Sequence, residues 1–362
     1  MKSMQKSVGQ EQKNVSGRIV WLDLLRVICI FFMMMLHVAA SQFDMVEVSS
    51  GEWQVFNFYD GLVRFCVPEF VMISGVFFLN PKKEYTIEKL LKNNILRIVT
   101  AYFFWAFCYA ASSAFLEYKN MGGAFWRDTL SNTISGWYHL WFLNMIVGIY
   151  LVVPFLRKIA ADRKLLEYFI LLSVVFGCVG ELVCIIPGVG EILGAARDKM
   201  SLFLILGYTG YFMAGYYFYT YEIPAKCRRL IYLLGVLSTA VTIGGTVILS
   251  RQAGYGEQTF YNYLFPNICF AAWAVFLFFK EHIAKIAFSE KWGGRIGTLA
   301  ELSFGMYLMH QFVNTALRLL GITTTSFAPV LAVPVLTCVV FAVSFAVIFV
   351  ISKIPFVRKY LI

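Results

Sequence analysis

The sequence predicts an all-α protein, a polytopic transmembrane helical bundle of about ten spans with both termini cytoplasmic. Three observations carry this. The chain is 59% hydrophobic with 14% charged residues, against about 25% charged in a soluble domain, and its mean hydropathy is +0.70. Apolar runs near the length that crosses a hydrocarbon core of about 30 Å recur along the whole chain. Lys and Arg collect in alternate loops, the pattern that orients helices in a membrane.

Taken in order, residues 1–17 are polar and lack an apolar core, which predicts a disordered cytoplasmic tail ahead of one transmembrane domain over 18–362. The expected spans are 19–41, 55–79, 95–116, 137–156, 165–186, 200–219, 229–250, 261–280, 296–320 and 328–352. The basic stretches "PKKEYTIEKLLKNNILR", "RKIAADRK", "AKCRR" and "KEHIAKIAFSEKWGGR" then fall on the side of the two termini. The other side receives Lys119, Arg127, Arg197, Lys199 and Arg251. That bias places both termini on the cytoplasmic side of a multi-pass membrane protein.

The net charge of +10 does not indicate nucleic acid. The basic residues sit in short loops, where they set topology and meet anionic lipid. The eight cysteines lie mostly within apolar segments without a CxxC pair, and read as small buried residues. Four histidines without clustered thiols or carboxylates give no metal site. Phosphate-binding, metalloprotease, nucleophile-elbow and dinucleotide motifs are all missing.

The informative residues are the ionisable ones inside spans, which face a bundle interior or a wet cavity more often than lipid. In "RIVWLDLLRVICIFFMMMLHVAAS" Arg26 and His37 are eleven residues apart, close to three full turns. They share one helical face about 16 Å apart along the axis. Asp23, one turn before Arg26, shares that face and can pair with it. In the second span Arg64 lies in the outer half and Glu69 about 15 Å from the inner end. Glu69 reads either as half of an interhelical ion pair or as a carboxylate facing a polar cavity. Pro68 removes a helical hydrogen bond one turn back and predicts a kink. His139, in an aromatic interfacial segment, and His310, in the ninth span, lie toward the outside. Each reads equally as a packed or hydrated histidine or as an acceptor-side contact. Glu301 belongs toward the inside. Inner-half Asp23, Arg26, Glu69 and Glu301, with outer-half His37, Arg64, His139 and His310, outline a polar path through the bundle.

Five fragments resemble the integral-membrane acyltransferase-3 family over nearly the full chain. They are Arg26 and His37 in the first span, "VPEFVMISG" in the second, Arg97-Ile98 after it, "HLWFLNMIVGIYLVVP" in the fourth and "SFGMYLMH" in the ninth. The chain departs from the family's pattern at Glu69, usually apolar, at Asn94, where a second basic residue often stands, and at Thr100, near an expected Pro. The resemblance implies an O-acyltransferase that moves an acyl group, acetyl by default, from cytoplasmic acyl-CoA to a hydroxyl of an extracytoplasmic surface glycan or lipid-linked sugar. Acyl-CoA is then a co-substrate and no cofactor is bound.

On that reading Arg26, Arg97 and Lys92 hold the phosphates of CoA, and His37 is catalytic, as nucleophile or as general base. Asp23, Glu69 and Arg64 support the site. A permease or exporter of a small polar solute is the alternative that ten spans with intramembrane charges also fit. Release of CoA only with donor present separates the two.

Overall fold

The structure is a computed structural model that describes residues 18–81, 83, 85–118 and 121–362. The expected N-terminal tail 1–17 and Lys119 lie outside the described residues. Every regular element described is helical. The α-helices are α1 (Val20–Ala40), α2 (Gly51–Val63), α3 (Cys66–Phe78), α4 (Ile87–Lys89), α5 (Leu96–Tyr118), α6 (Gly123–Ser135), α7 (Trp141–Ala160) and α8 (Arg163–Leu172). They continue as α9 (Gly180–Cys184), α10 (Val189–Lys199), α11 (Thr209–Thr220), α12 (Ala225–Ala253), α13 (Pro266–Glu281), α14 (Glu290–Leu319), α15 (Pro329–Ile351) and α16 (Pro355–Tyr360).

Among the described residues eight helical stretches are long and apolar enough to cross a membrane, by length and composition. Two of the ten expected spans differ. The sixth, 200–219, is helical only over α11, whose 12 residues span about 18 Å. The apolar run before it is not helical, and Ser201 sits at φ 54°, which ends a right-handed helix. The ninth, 296–320, lies on α14, a helix of 30 residues. It is long enough but not among the eight, because Ser303, His310, Gln311, Asn314 and Arg318 interrupt its apolar sequence.

The first span forms the hub. α1 packs against α2, α3, α13, α14 and α15. The second span is broken into α2 and α3 at Arg64–Phe65. Pro68 has no N–H to give the Arg64 carbonyl, so the helix opens one turn before it. α3 and α11 touch backbone to backbone. A Cβ on Gly75 would lie 1.9 Å from the Phe212 carbonyl oxygen, and one on Gly215 would lie 2.2 Å from that of Met72. Only glycine permits such an approach, as in small-residue packing of membrane helices.

Basic side chains close the end of the bundle expected to face the cytoplasm. Arg157 donates to the carbonyls of Phe78 (2.5 Å), Asn80 (3.1 Å) and Lys83 (2.7 Å). Lys280 donates to those of Phe218 and Tyr221 (2.5 and 2.7 Å). These caps satisfy carbonyls that a helix C-terminus leaves without partners. Glu301 joins Arg18 (3.3 Å) and Arg358 in one ion-pair cluster. Arg97 donates to the backbone oxygen of Ile362, and Trp105 to that of Leu361 at 2.9 Å. The start of α1, the start of α5, the middle of α14 and the end of the chain therefore meet at one end, as the sequence predicts.

Candidate active site

A cavity of about 460 Å³ runs inside the bundle alongside α1. At one end it is lined by Arg18, Arg26, Arg97, Asn93, Asn94 and Glu301, and at the other by His37 and His139. The expected face holds: Arg26 and His37 both line this cavity, three helical turns apart. Phe70, Phe142 and Tyr150 form part of the wall between. Asn93 and Asn94 reach it from a π-helical turn, Leu90–Ile95. The extra residue of a π-turn re-aims side chains, and such turns are frequent at functional sites.

A second cavity of about 320 Å³ lies on the far side of His37. It is lined by Gln42, Trp137, Tyr138, Gln311, Asn314 and Arg318, among others. Among the described residues His37 is the one side chain that lines both cavities.

Three imidazoles meet at this junction. Ring centroids are 5.0 Å apart for His37 and His310, 5.1 Å for His139 and His310, and 6.4 Å for His37 and His139. Their bonding differs. His310 is fully buried, with Nδ1 2.5 Å from the Tyr307 carbonyl and Nε2 3.0 Å from Gln311 Nε2. A carbonyl only accepts, so His310 Nδ1 carries the proton and Nε2 accepts from the Gln311 amide. Both nitrogens of His310 are thereby occupied. Asn314 donates in turn to Gln311 Oε1 at 3.3 Å.

His139 is 2% exposed, and neither ring nitrogen has a hydrogen-bond partner. It sits in a single 3-10 turn, Tyr138–Leu140, that leads into α7. The turn starts after Gly136, whose φ of 80° is favoured by glycine. The Tyr307 hydroxyl donates to the His139 carbonyl and ties the turn to α14. His37 is half-buried, as a side chain reached from two cavities must be.

The remaining expected residues fall as follows. Asp23 is buried beside Arg26, but no ion pair joins them among the described residues. Arg26 instead lies over the Phe77 ring, 5.7 Å from its centroid. Arg97 lines the cavity mouth while its guanidinium is bound to Ile362. Lys92 lies off the cavity, exposed and paired with Glu88 at 2.7 Å. The Glu88→Lys92 spacing of four residues is itself a helical ion-pair signal in the sequence.

Glu69 meets neither expectation. It is fully buried, it lines neither cavity, and neither carboxylate oxygen has a hydrogen-bond partner. Arg64 makes a buried bidentate pair with Asp60, at 2.6 and 2.8 Å. Its guanidinium lies 4.0 Å from the Tyr261 ring centroid and donates to the Tyr263 hydroxyl at 3.3 Å. It therefore supports the cavity through Tyr263, which lines it.

Sequence reasoning missed Arg18, Asn93 and Gln311. Gln311 had a signal, standing next to His310. Asn93 had none, because only the π-turn aims it inward. No group of His, Cys, Asp and Glu that could hold a metal ion occurs among the described residues.

Helices that cross a membrane and a histidine held between two internal cavities define a polytopic protein with a site inside the bundle. The family model described as "Acyltransferase domain" matches residues 19–351. The chain belongs to this acyltransferase-3 family and is a membrane acyltransferase. Neither a curated protein nor a solved structure was found to match it.

Proposed function

We propose that the protein transfers an acyl group, acetyl by default, from acyl-CoA in the inner cavity to a hydroxyl presented in the outer one, with His37 as the catalytic group. The observation that carries this is that His37 lines both cavities. A side chain reached from two sides touches donor and acceptor together.

The inner cavity suits the donor. Arg26 and Arg97 lie at its mouth with Arg18, Asn93 and Asn94, a set of cationic and amide donors that suits phosphate oxygens. The passage from there to His37 is about 16 Å, of the order of an extended pantetheine arm. Lys92 is left out of this set because its ammonium is held by Glu88 away from the cavity.

Simultaneous access favours direct transfer. His37 takes the proton of the acceptor hydroxyl as its oxygen attacks the thioester carbonyl. The C–S bond then breaks, and the imidazolium returns the proton to the CoA thiolate. His139, which lines the inner cavity with both ring nitrogens unpartnered, is the nearby group that would donate to the thioester oxygen as it gains charge. A glycan or lipid-linked sugar on the extracytoplasmic side is the acceptor, and the cell membrane the location. The family membership and the cytoplasmic bias of Lys and Arg support this sidedness.

The test is CoA release and label transfer by the full chain in lipid nanodiscs with radiolabelled acetyl-CoA. His37→Ala is expected to lower transfer by about 10²–10⁴-fold, the range for a general base, with helicity and melting unchanged. A variant as active as the parent would overturn the mechanism. Movement of labelled solute without acyl-CoA would favour a permease instead. Direct transfer further predicts that double-reciprocal plots intersect, whereas an acyl-His37 intermediate gives parallel lines.

A further inference from the structure

The outer cavity has a chemical character that the transfer reaction alone does not require. Its lining includes one charged residue, Arg318, and no Asp or Glu. Arg318 lies in the last turn of α14 and forms no ion pair among the described residues. The inner end is different, since Arg18 and Arg358 both pair there with Glu301. Arg318 is exposed at the edge of this cavity, so its guanidinium is open to an anionic group that enters there.

A second observation points into the same cavity. Thr324 is 1% exposed, its hydroxyl has no partner, and it lines this space. A buried hydroxyl without a hydrogen bond costs stability, and a polar ligand in the cavity removes that cost. Gln42 and Asn314 add amide groups, and Trp137 and Tyr138 add aromatic surface at the His37 end. Amides with one aromatic wall suit a polyhydroxylated ring, and the cavity volume is within the range of small-molecule sites.

We propose that the outer cavity is the acceptor site and that it selects an anionic carbohydrate, a sugar whose carboxylate or phosphate pairs with Arg318 while one of its hydroxyls reaches His37. This rests on the acyl-transfer reading above. The anion has two sources of the same chemistry, the carboxylate of a uronic acid or the phosphate of a phosphorylated or lipid-linked sugar. Arg318 offers a planar, forked donor that pairs with either.

The test uses the full chain in nanodiscs of zwitterionic lipid, with labelled acetyl-CoA and three acceptor probes: methyl β-glucuronide, glucose 1-phosphate and methyl β-glucoside. The parent is expected to acylate at least one acidic probe tenfold or more faster than the neutral one. Which acidic probe is used tells carboxylate from phosphate. Arg318→Gln is expected to erase that preference and Arg318→Lys to keep part of it, with the melting temperature of both variants as in the parent. Equal use of acidic and neutral probes by the parent, or transfer to neither acidic probe, overturns the proposal. So does an Arg318→Gln variant that keeps the preference, which would leave Arg318 a partner of lipid headgroup phosphate. Failure of the underlying reading has a separate signature, no CoA release by the parent with or without any probe.

Discussion

At the scale of single residues, the site separates groups free to do chemistry from groups already held. His310 has both nitrogens bonded, by the Tyr307 carbonyl and the Gln311 amide. Gln311→Leu is therefore expected to weaken turnover by loosening His310 against His37, with the Michaelis constant for donor nearly unchanged. Steady-state kinetics at varied acyl-CoA checks this split. Arg64 and Asp60 form the most buried ion pair described, at 9% and 1% exposure. Asp60→Asn leaves a buried guanidinium without its countercharge, which costs about 3–5 kcal/mol. A large drop in melting temperature in detergent is expected, and an unchanged one would mean the pair contributes little.

Residue-scale chemistry was partly legible in the sequence. The eleven-residue spacing of Arg26 and His37 sufficed to place both on one face, because helical geometry fixes it. Partners across the bundle were not legible, since nothing local ties Arg18 to Glu301. Two local pairs were legible and passed over, Asp60 with Arg64 and Glu88 with Lys92, each four residues apart.

At the scale of elements, the close approach of α3 and α11 fixes the wall behind the inner cavity. Gly75→Ala would bring a methyl group to 1.9 Å from the Phe212 carbonyl oxygen. The helices must separate, at about 1–3 kcal/mol for such overpacking and with loss of activity. Gly244→Ala in α12 meets nothing within 4 Å and is expected to leave both melting and activity unchanged or slightly raised. Thermal denaturation of the two variants side by side checks the contrast.

The elements also mark where hydropathy is informative and where it fails. Long apolar runs became helices, and Pro68 broke the second span where its missing N–H requires. The run before α11 shows the limit. Met200, Phe203 and Leu204 are exposed there and Ile205 is buried, so apolarity does not report a helix, and the turn at Ser201 is a tertiary outcome that composition does not encode. α14 shows the converse, a long helix made less apolar by the residues that furnish the site.

At the scale of the whole molecule, two cavities meet at one imidazole, and cationic groups are distributed differently at their two ends. At the inner end Arg26 and Arg97 stand beside the paired Arg18–Glu301–Arg358 cluster, and at the outer end Arg318 has no ion-pair partner among the described residues. Arg26→Ala is expected to raise the Michaelis constant for acyl-CoA about tenfold or more, through a lost charge-assisted phosphate contact worth roughly 1.5–3 kcal/mol, and to affect the maximal rate less. Initial rates over a range of donor concentrations check this. The vectorial arrangement is itself measurable in proteoliposomes of defined orientation. Labelled acyl-CoA is supplied at the face carrying Arg18 and Arg26, and the acceptor sugar is enclosed at the face carrying Arg318. Label on the acceptor across the bilayer is the expected result, lost in His37→Ala. Transfer only when donor and acceptor share one side would contradict a reaction carried out at His37 between two opposed cavities.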